Sequence, residues 1–339
     1  MSQSGVTPRL MLCGCAVVAA LTCSVALGQG FGPEMYGMVA RFGMGTPVTT
    51  RVLGMGGFIS CVNDEQFANP AFAAVQDHMS ASVRLCRTDF DAGPRLDSIL
   101  GHVTYPLTPN KKGLQLSVIG LETSQENAML AGLGPATVDM SETALVVDYG
   151  QRFSRRLTGG LSVLGFENVD LTIASALGPV MVDVEDSAQW GFRGGLAYEW
   201  APGDFVGLLF SFSRDDVDFA TPAAPVPLSF EFDSSQLCLG VSRHLAPNVL
   251  LAAEYQHGAT RRTGSTSKAD TWNFGTECTV APGWNLRLGA NDFDFCWGAG
   301  YDSDRWRVDY ACINGWNASD VSQLLGGSTT HSVAALYRW

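Results

Sequence analysis

The chain has 339 residues, 46% of them hydrophobic and only 16% charged, with 38 glycines and a formal net charge of −12. This composition excludes an intrinsically disordered chain, which combines low hydrophobicity with high charge. The acidic balance argues against a nucleic-acid partner, whose phosphates need a Lys/Arg surface. A charged fraction below the roughly 25% usual in soluble domains, together with so much glycine, points to an all-β chain carrying a large apolar surface.

The chain opens as an export signal. Arg9 supplies a positive n-region, an uncharged apolar stretch runs from Leu10 to Leu27, and Ala26-Leu27-Gly28 offers small residues to a peptidase, placing the mature start near Gln29. A membrane anchor is the competing reading, since about 18 apolar residues just span a bilayer. Lipidation at Cys15 or Cys23 is a weaker one, because neither follows a convincing lipobox triplet. The expected organisation is a signal peptide over 1–28, a segment of its own over 29–76, and a barrel over 77–339. Three of the nine cysteines go with the signal, leaving Cys61, Cys86, Cys238, Cys278, Cys296 and Cys312. They are scattered, with no C-x-x-C pair and no His at metal-ligand spacing, and read as small apolar fillers.

Residues 51–71 do not alternate. They carry Gly54, Gly56 and Gly57, then Asn63-Asp64, then Asn69-Pro70-Ala71. Glycine there lets a backbone take positive φ and approach a wall closely, and Asn-Pro punctuates the chain before the first strand. The Gly-Met-Gly-Gly run lacks the spacing of either common phosphate-binding loop.

From about residue 79 onward, period two dominates. Between Trp190 and Trp200 one face carries Trp190, Phe192, Leu196, Tyr198 and Trp200, and the other carries Gln189, Arg193 and Glu199. The same split recurs at Leu145–Phe153, Trp284–Asn291, Asp294–Tyr301 and Trp306–Tyr310. Weaker versions lie near 79–86, 99–105, 114–120, 161–167, 206–212, 236–244, 249–255 and 272–280. With the terminal series Val333, Ala335, Tyr337, Trp339, about fourteen strands are predicted. Tight turns at 154–156, 201–204, 246–248 and 281–283 are expected to alternate with longer loops at 125–140, 171–186, 218–227 and 260–268. Short turns at one end and long loops at the other, on an even number of strands, are the plan of an outer-membrane barrel. Aromatics at strand ends (Tyr105, Trp190, Trp200, Trp284, Tyr301, Trp306, Tyr337, Trp339) suit its interfacial girdles. A secreted β-sandwich also alternates, and there the apolar face would be a buried core. The terminal alternation ending on Trp339 favours the membrane barrel and reads as the signal for the barrel-assembly machinery.

The segment Arg51–Ser60 with Asn63-Asp64 and Asn69-Pro70-Ala71 resembles the N-terminal region of the FadL/PorV superfamily of outer-membrane proteins. Tyr149–Leu157 resembles that family's strand–turn–strand, and Thr330-His331-Ser332 its approach to the last strand. Phe72 departs from the family's usual glycine after Asn-Pro-Ala, and Cys61 interrupts the Gly-rich stretch. The resemblance implies a fourteen-stranded barrel in outer-membrane lipid, with the N-terminal segment folded inside as a hatch through Gly54, Gly56, Gly57, Asp64, Asn69, Pro70 and Ala71. It implies uptake of hydrophobic, fatty-acid-like molecules or, as the alternative, a non-transporting scaffold or shuttle in protein secretion. No catalytic or metal-binding motif is present, so no enzymatic activity, cofactor or metal is expected. The pair His257/Glu254 and the acidic runs Asp215-Asp216-Asp218 and Asp302/Asp304 are the weak candidates for other chemistry.

Overall fold

The computed structural model describes residues 49–66, 68–90, 95–130, 134–175, 178–220, 228–262, 265–292, 294–314 and 328–339. The expected signal peptide therefore lies outside the described residues. A short helix, α1 (Thr50–Leu53), and a 3-10 turn (Pro70–Val75) precede fourteen strands: β1 (Ser80–Phe90), β2 (Arg95–Thr108), β3 (Lys112–Leu130), β4 (Gly134–Arg152), β5 (Leu157–Ser175), β6 (Gly178–Ala201), β7 (Asp204–Ala220), β8 (Leu228–Ala246), β9 (Val249–Arg262), β10 (Ser265–Ala281), β11 (Trp284–Asn291), β12 (Asp294–Asp302), β13 (Trp306–Asn314) and β14 (Ser328–Arg338). Each pairs antiparallel with its neighbours in sequence, and β14 returns to β1 with Ser80 opposite Arg338 and Phe90 opposite Ser328, so the sheet closes on itself.

Alternation sorts the two faces as the sequence implies. Phe192, Leu196 and Tyr198 are 42%, 44% and 43% exposed, while Arg193 between them is 4% exposed. On β13, Trp306 and Val308 face out and Arg307 and Asp309 face in; on β14, Val333 faces out and Ala334 and Leu336 face in. Among the described residues, these apolar side chains meet no second packed layer and the sheet closes on itself, which removes the β-sandwich reading. They form a continuous exterior band, because a wall in hydrocarbon must present apolar side chains outward and leave no backbone group unpaired. Aromatic pairs border the band. At the short-turn end Trp284 stacks near Tyr301 (5.1 Å between ring centroids) and Trp306 near Tyr337 (4.7 Å); toward the far end Trp190 meets Phe212 (5.5 Å) and Tyr255 meets Trp272 (5.0 Å).

The tight turns fall where the sequence puts them, but the expected long loops are corrected. Residues 125–130 and 134–140 continue β3 and β4, residues 171–175 and 178–186 continue β5 and β6, and 260–262 and 265–268 continue β9 and β10. In the fourth, 218–220 extends β7 and 221–227 lies outside the described residues. These hairpins keep their ladders, with Ser124 opposite Asp139 and Ile173 opposite Val182. Beyond the bilayer both faces of a strand are wet, so the period-two signal fades while backbone pairing persists. The wall is uneven in consequence: β6 has 24 residues, β11 only 8, and about 9–11 tilted residues suffice to cross the hydrocarbon.

All six cysteines of the described chain are free thiols, five of them buried, in keeping with their reading as fillers. Leu239 lies within the exposed apolar band on β8, with Leu208 and Tyr255 as cross-strand neighbours. Leu239→Arg is expected to destabilise the barrel by roughly 2–4 kcal/mol, measured as a lowered urea midpoint for loss of heat-modifiable gel migration. An unchanged midpoint contradicts a lipid-facing position.

Candidate functional site: a segment seated against the inner wall

Residues 49–76 lie against the inward faces of the strands. Thr49 caps α1, its hydroxyl accepting from the Val52 amide at 3.1 Å. The helix ends in a turn where Gly56 and Gly57 take φ of 114° and 82°, which L side chains avoid. Gly56 is also crowded: a Cβ there would sit 2.8 Å from the Ala290 carbonyl oxygen and 2.9 Å from that of Phe274. Gly54 faces Gly298 of β12. Asn69 caps the 3-10 turn through Ala71 N–H (3.0 Å), and its Nδ2 donates back to the Ser60 carbonyl at 2.9 Å. Pro70 occupies the first position of the turn, where its missing N–H costs nothing, and Ala71 is fully buried. The seven residues singled out in this segment are thus spread around the inner circumference, not gathered at one point. Phe72, where the resembling family has glycine, is buried with its ring edge-on to Phe205 of β7 at 5.3 Å.

The wall is shaped to receive this backbone. Inward-facing glycines Gly113, Gly150, Gly160 and Gly195 are direct cross-strand partners over β3–β6, and Gly207–Gly240 and Gly275–Gly289 pair likewise. A Cβ on any of them would collide with the segment: with the Ala73 carbonyl at Gly113, Pro70 at Gly150 and Gly160, Asn69 at Gly195, Ser60 at Gly207, Cys61 at Gly240 and Met55 at Gly275 and Gly289. Glycine within a strand marks close approach of another backbone. The sequence reading missed this row; its signal is a glycine on the polar face of one strand after another.

Charge fixes the segment as well. Arg51 binds Glu277 of β10 (2.7 and 2.9 Å), Glu277 binds Arg287 of β11 (2.6 Å), Arg287 binds Asp309 of β13 (2.7 Å), Asp309 binds Arg307 (2.5 Å), and Arg307 holds Asp64 with both terminal nitrogens (2.6 and 3.1 Å). Asp64 lies 4.0 Å from Arg51, which closes a circuit of three cations and three anions. Burial alone would raise the Asp64 pKa; Arg307 and Arg51, helped by the Thr49 hydroxyl at 2.5 Å, hold it well below the usual carboxylate range instead. Glu254 of β9 forms a second anchor, accepting from the amides of Ile59 (3.0 Å) and Ser60 (2.7 Å), from the Ser60 hydroxyl and from Gln256. Arg338 of β14 makes a third, on Glu65 at 2.7 Å.

Above the glycine row, away from the short turns, comes a polar row in which Gln115 and Arg193 both donate to Asp148 (3.3 and 3.1 Å). Higher still, Leu100, Ile119, Ala144, Val146 and Leu164 form an inward apolar cluster on β2–β5. His102 faces inward with its Nδ1 2.7 Å from the Ser117 hydroxyl, and His244 sits near a short turn beside Asp204. The imagined His257/Glu254 pair is corrected: the two sit on opposite faces of β9, Glu254 buried with the segment and His257 exposed against Asp270 at 2.7 Å. Asp302 is engaged by Arg338 at 2.7 Å, while the side chains of Asp215, Asp216 and Asp218 are outside what the structure describes. Among the described residues no three metal-ligating side chains converge. Val333, Ala335 and Tyr337 line the outer face of β14, and the Trp339 amide donates to the Met79 carbonyl at 3.0 Å.

Removing one member of a buried ion circuit strands its partners, at a cost of roughly 3–5 kcal/mol. Asp64→Asn and Gly160→Leu are each expected to loosen the segment without opening the barrel. Limited proteolysis should then cut within 49–76 while heat-modifiable migration persists. Resistance equal to that of the parent protein in both variants contradicts the anchoring.

No protein-family model matches the chain, and no curated protein matches it in sequence. Solved structures do. The toluene transporter TbuX of Ralstonia pickettii superposes with a TM-score of 0.59 at 14% identity, covering 87% of this chain and 98% of that one. The toluene transporter TodX of Pseudomonas putida gives 0.59 at 13% identity, covering 85% and 96%, and a FadL homologue of Pseudomonas aeruginosa gives 0.57 at 13%, covering 86% and 98%. What is shared at such identities is architecture: this chain is a closed, fourteen-stranded barrel with the FadL-like fold.

Proposed function

We propose that the protein is an outer-membrane passage for small hydrophobic molecules, exported by a cleaved signal over 1–28, with residues 29–76 as its hatch. The observation that carries this reading is the inward apolar cluster Leu100, Ile119, Ala144, Val146 and Leu164 on β2–β5, beyond the polar row Gln115, Asp148 and Arg193. Apolar side chains aimed away from lipid, beyond the row that seats the segment, offer a hydrocarbon a place to leave water inside the barrel. The fold shared with toluene transporters supports the same reading. Substrates of fatty-acid type and monoaromatic type both satisfy it, and the C-terminal series Val333, Ala335, Tyr337 and Trp339 serves the assembly machinery.

The glycine row and the ion circuit make the hatch a fixed element, so solutes pass beside it. Deleting the gene should slow uptake of labelled toluene or oleate into whole cells several-fold, and a copy lacking 29–76 should leak small polar solutes that the intact protein retains. Uptake unchanged for both compounds overturns the transport reading in favour of a secretion scaffold. Unchanged leak overturns the hatch.

A further inference from the structure

Toward the end away from the short turns, arginines on the outer face of the barrel have carboxylate partners. Arg87 binds Asp97 at 2.7 Å, Arg95 binds Asp89 at 2.8 Å and Arg214 binds Asp233 at 2.8 Å. The short-turn rim differs. The turn from β2 into β3 carries Lys111 and Lys112, two of the three lysines in the chain, and the turn from β4 into β5 carries Arg155 and Arg156. No Asp or Glu falls between Asp97 and Glu122, or between Asp148 and Glu167. Among the described residues none of these four side chains has a hydrogen bond or an ion pair. Their backbones are tied down all the same, and in a way that makes the turns neighbours: the Arg152 amide donates to the Lys111 carbonyl and the Glu199 amide to the Arg156 carbonyl, both at 2.8 Å. The acids nearest on this rim are committed, Glu199 to the Gly203 amide at 3.1 Å and Asp204 to His244 at 2.8 Å. On a chain of formal net charge −12, this is a local surplus of cations held ready by a fixed backbone.

What stands beside the surplus decides its partner. Leu107 and Leu157, the last outward residue of β2 and the first of β5, are exposed, and so is Phe153 between the two strands β4 and β5. The Phe153 ring lies against the outer face of β5, where a Cβ on Gly159 would stand 2.6 Å from it. Cations at the edge of an apolar face match a molecule with an acyl body and an anionic head, because the flexible Lys and Arg stems reach past the edge of the hydrocarbon to phosphate. A zwitterionic head brings its own ammonium and gains less, and a free phosphate makes no use of Leu107 or Phe153. We propose that the short-turn rim over β2–β5 docks an anionic phospholipid, of the phosphatidylglycerol type, from the leaflet on that side of the outer membrane. Clustered Lys and Arg next to a bilayer attract anionic heads additively and over about a Debye length. The site depends on the seat of the barrel in lipid and on no solute passing through it, so it stands or falls apart from the transport reading.

Full-length protein in neutral detergent, titrated with dioleoyl phosphatidylglycerol or dioleoyl phosphatidylethanolamine and followed by native mass spectrometry, tests this. Phosphatidylglycerol should bind about tenfold tighter or more, as expected of several cations acting on one head. Lys111→Gln, Lys112→Gln, Arg155→Gln and Arg156→Gln combined should erase the difference and leave phosphatidylethanolamine unaffected. Arg156→Gln alone should narrow it several-fold, and serves where the combined variant fails to show heat-modifiable migration. Arg87→Gln with Arg214→Gln, at the opposite end, should keep the full preference. Equal affinity for the two lipids, a preference that survives both rim variants, or one lost with Arg87 and Arg214 overturns the proposal. So does displacement of phosphatidylglycerol by inorganic phosphate beyond that caused by chloride at equal ionic strength, which marks a site for the free anion.

Discussion

Hydrocarbon neither donates nor accepts a hydrogen bond, and a sheet immersed in it must satisfy every backbone amide within itself. Closure of β14 onto β1 does this here, eleven residues of β1 paired without interruption from Ser80 to Phe90. Once the sheet is closed, the pleat assigns the side chains. Alternate positions face lipid and have to be apolar, and the rest enclose a lumen that lipid never reaches. Every other feature of the molecule is a use of that second set of positions.

The lumen is filled by chain, and two devices make the filling possible. Leaving out Cβ atoms along Gly113–Gly150–Gly160–Gly195 lets the backbone of Asn69–Ala73 lie directly on the wall. Opposite that row, where the wall carries side chains, the contact is ionic, and the circuit through Arg51, Glu277, Arg287, Asp309, Arg307 and Asp64 has no net charge. Burying one ion pair is close to neutral in free energy, whereas removing a single partner is expensive. The circuit therefore contributes less to raw stability than to uniqueness, holding the segment in one register against the wall. Arginine supplies all three cations, as expected where a planar fork must reach two carboxylates at once.

The barrel was legible in the sequence because lipid enforces period two, and that pattern is strongest where lipid is present. The prediction failed at the same boundary. Residues 125–140 and 171–186 read as loops although they are largely ladder, since water on both faces leaves hydropathy nothing to alternate. In the inner segment, Gly56 and Gly57 were legible because positive φ demands glycine, whereas Asn69 read only as punctuation before Pro70 and its capping of the 3-10 turn came from the structure. Asp64 was visible only through family resemblance. Its partners Arg307, 243 positions away, and the wall glycines that face Pro70 are joined to it by register alone, and register in a closed barrel is a property of all the strands together.

Under the proposed function, a segment fixed against the wall changes what selectivity demands of the lumen. If the segment stays seated, a permeant is chosen by what it can shed on the way, and water is the largest item. In the proposed passage, an ion meeting the row Gln115, Asp148 and Arg193 would find those groups already bonded to one another, gain little in exchange for its hydration shell and be turned back. A neutral hydrocarbon has little hydration to lose and gains from each apolar surface it touches. Passage also requires that no station hold the permeant too well. Five aliphatic side chains on β2–β5 carry no hydrogen-bonding groups with which to hold a permeant, which would favour brief occupancy in the proposed passage. In the proposed passage the polar row and the apolar cluster would act together, one refusing charge and the other admitting hydrocarbon without retaining it.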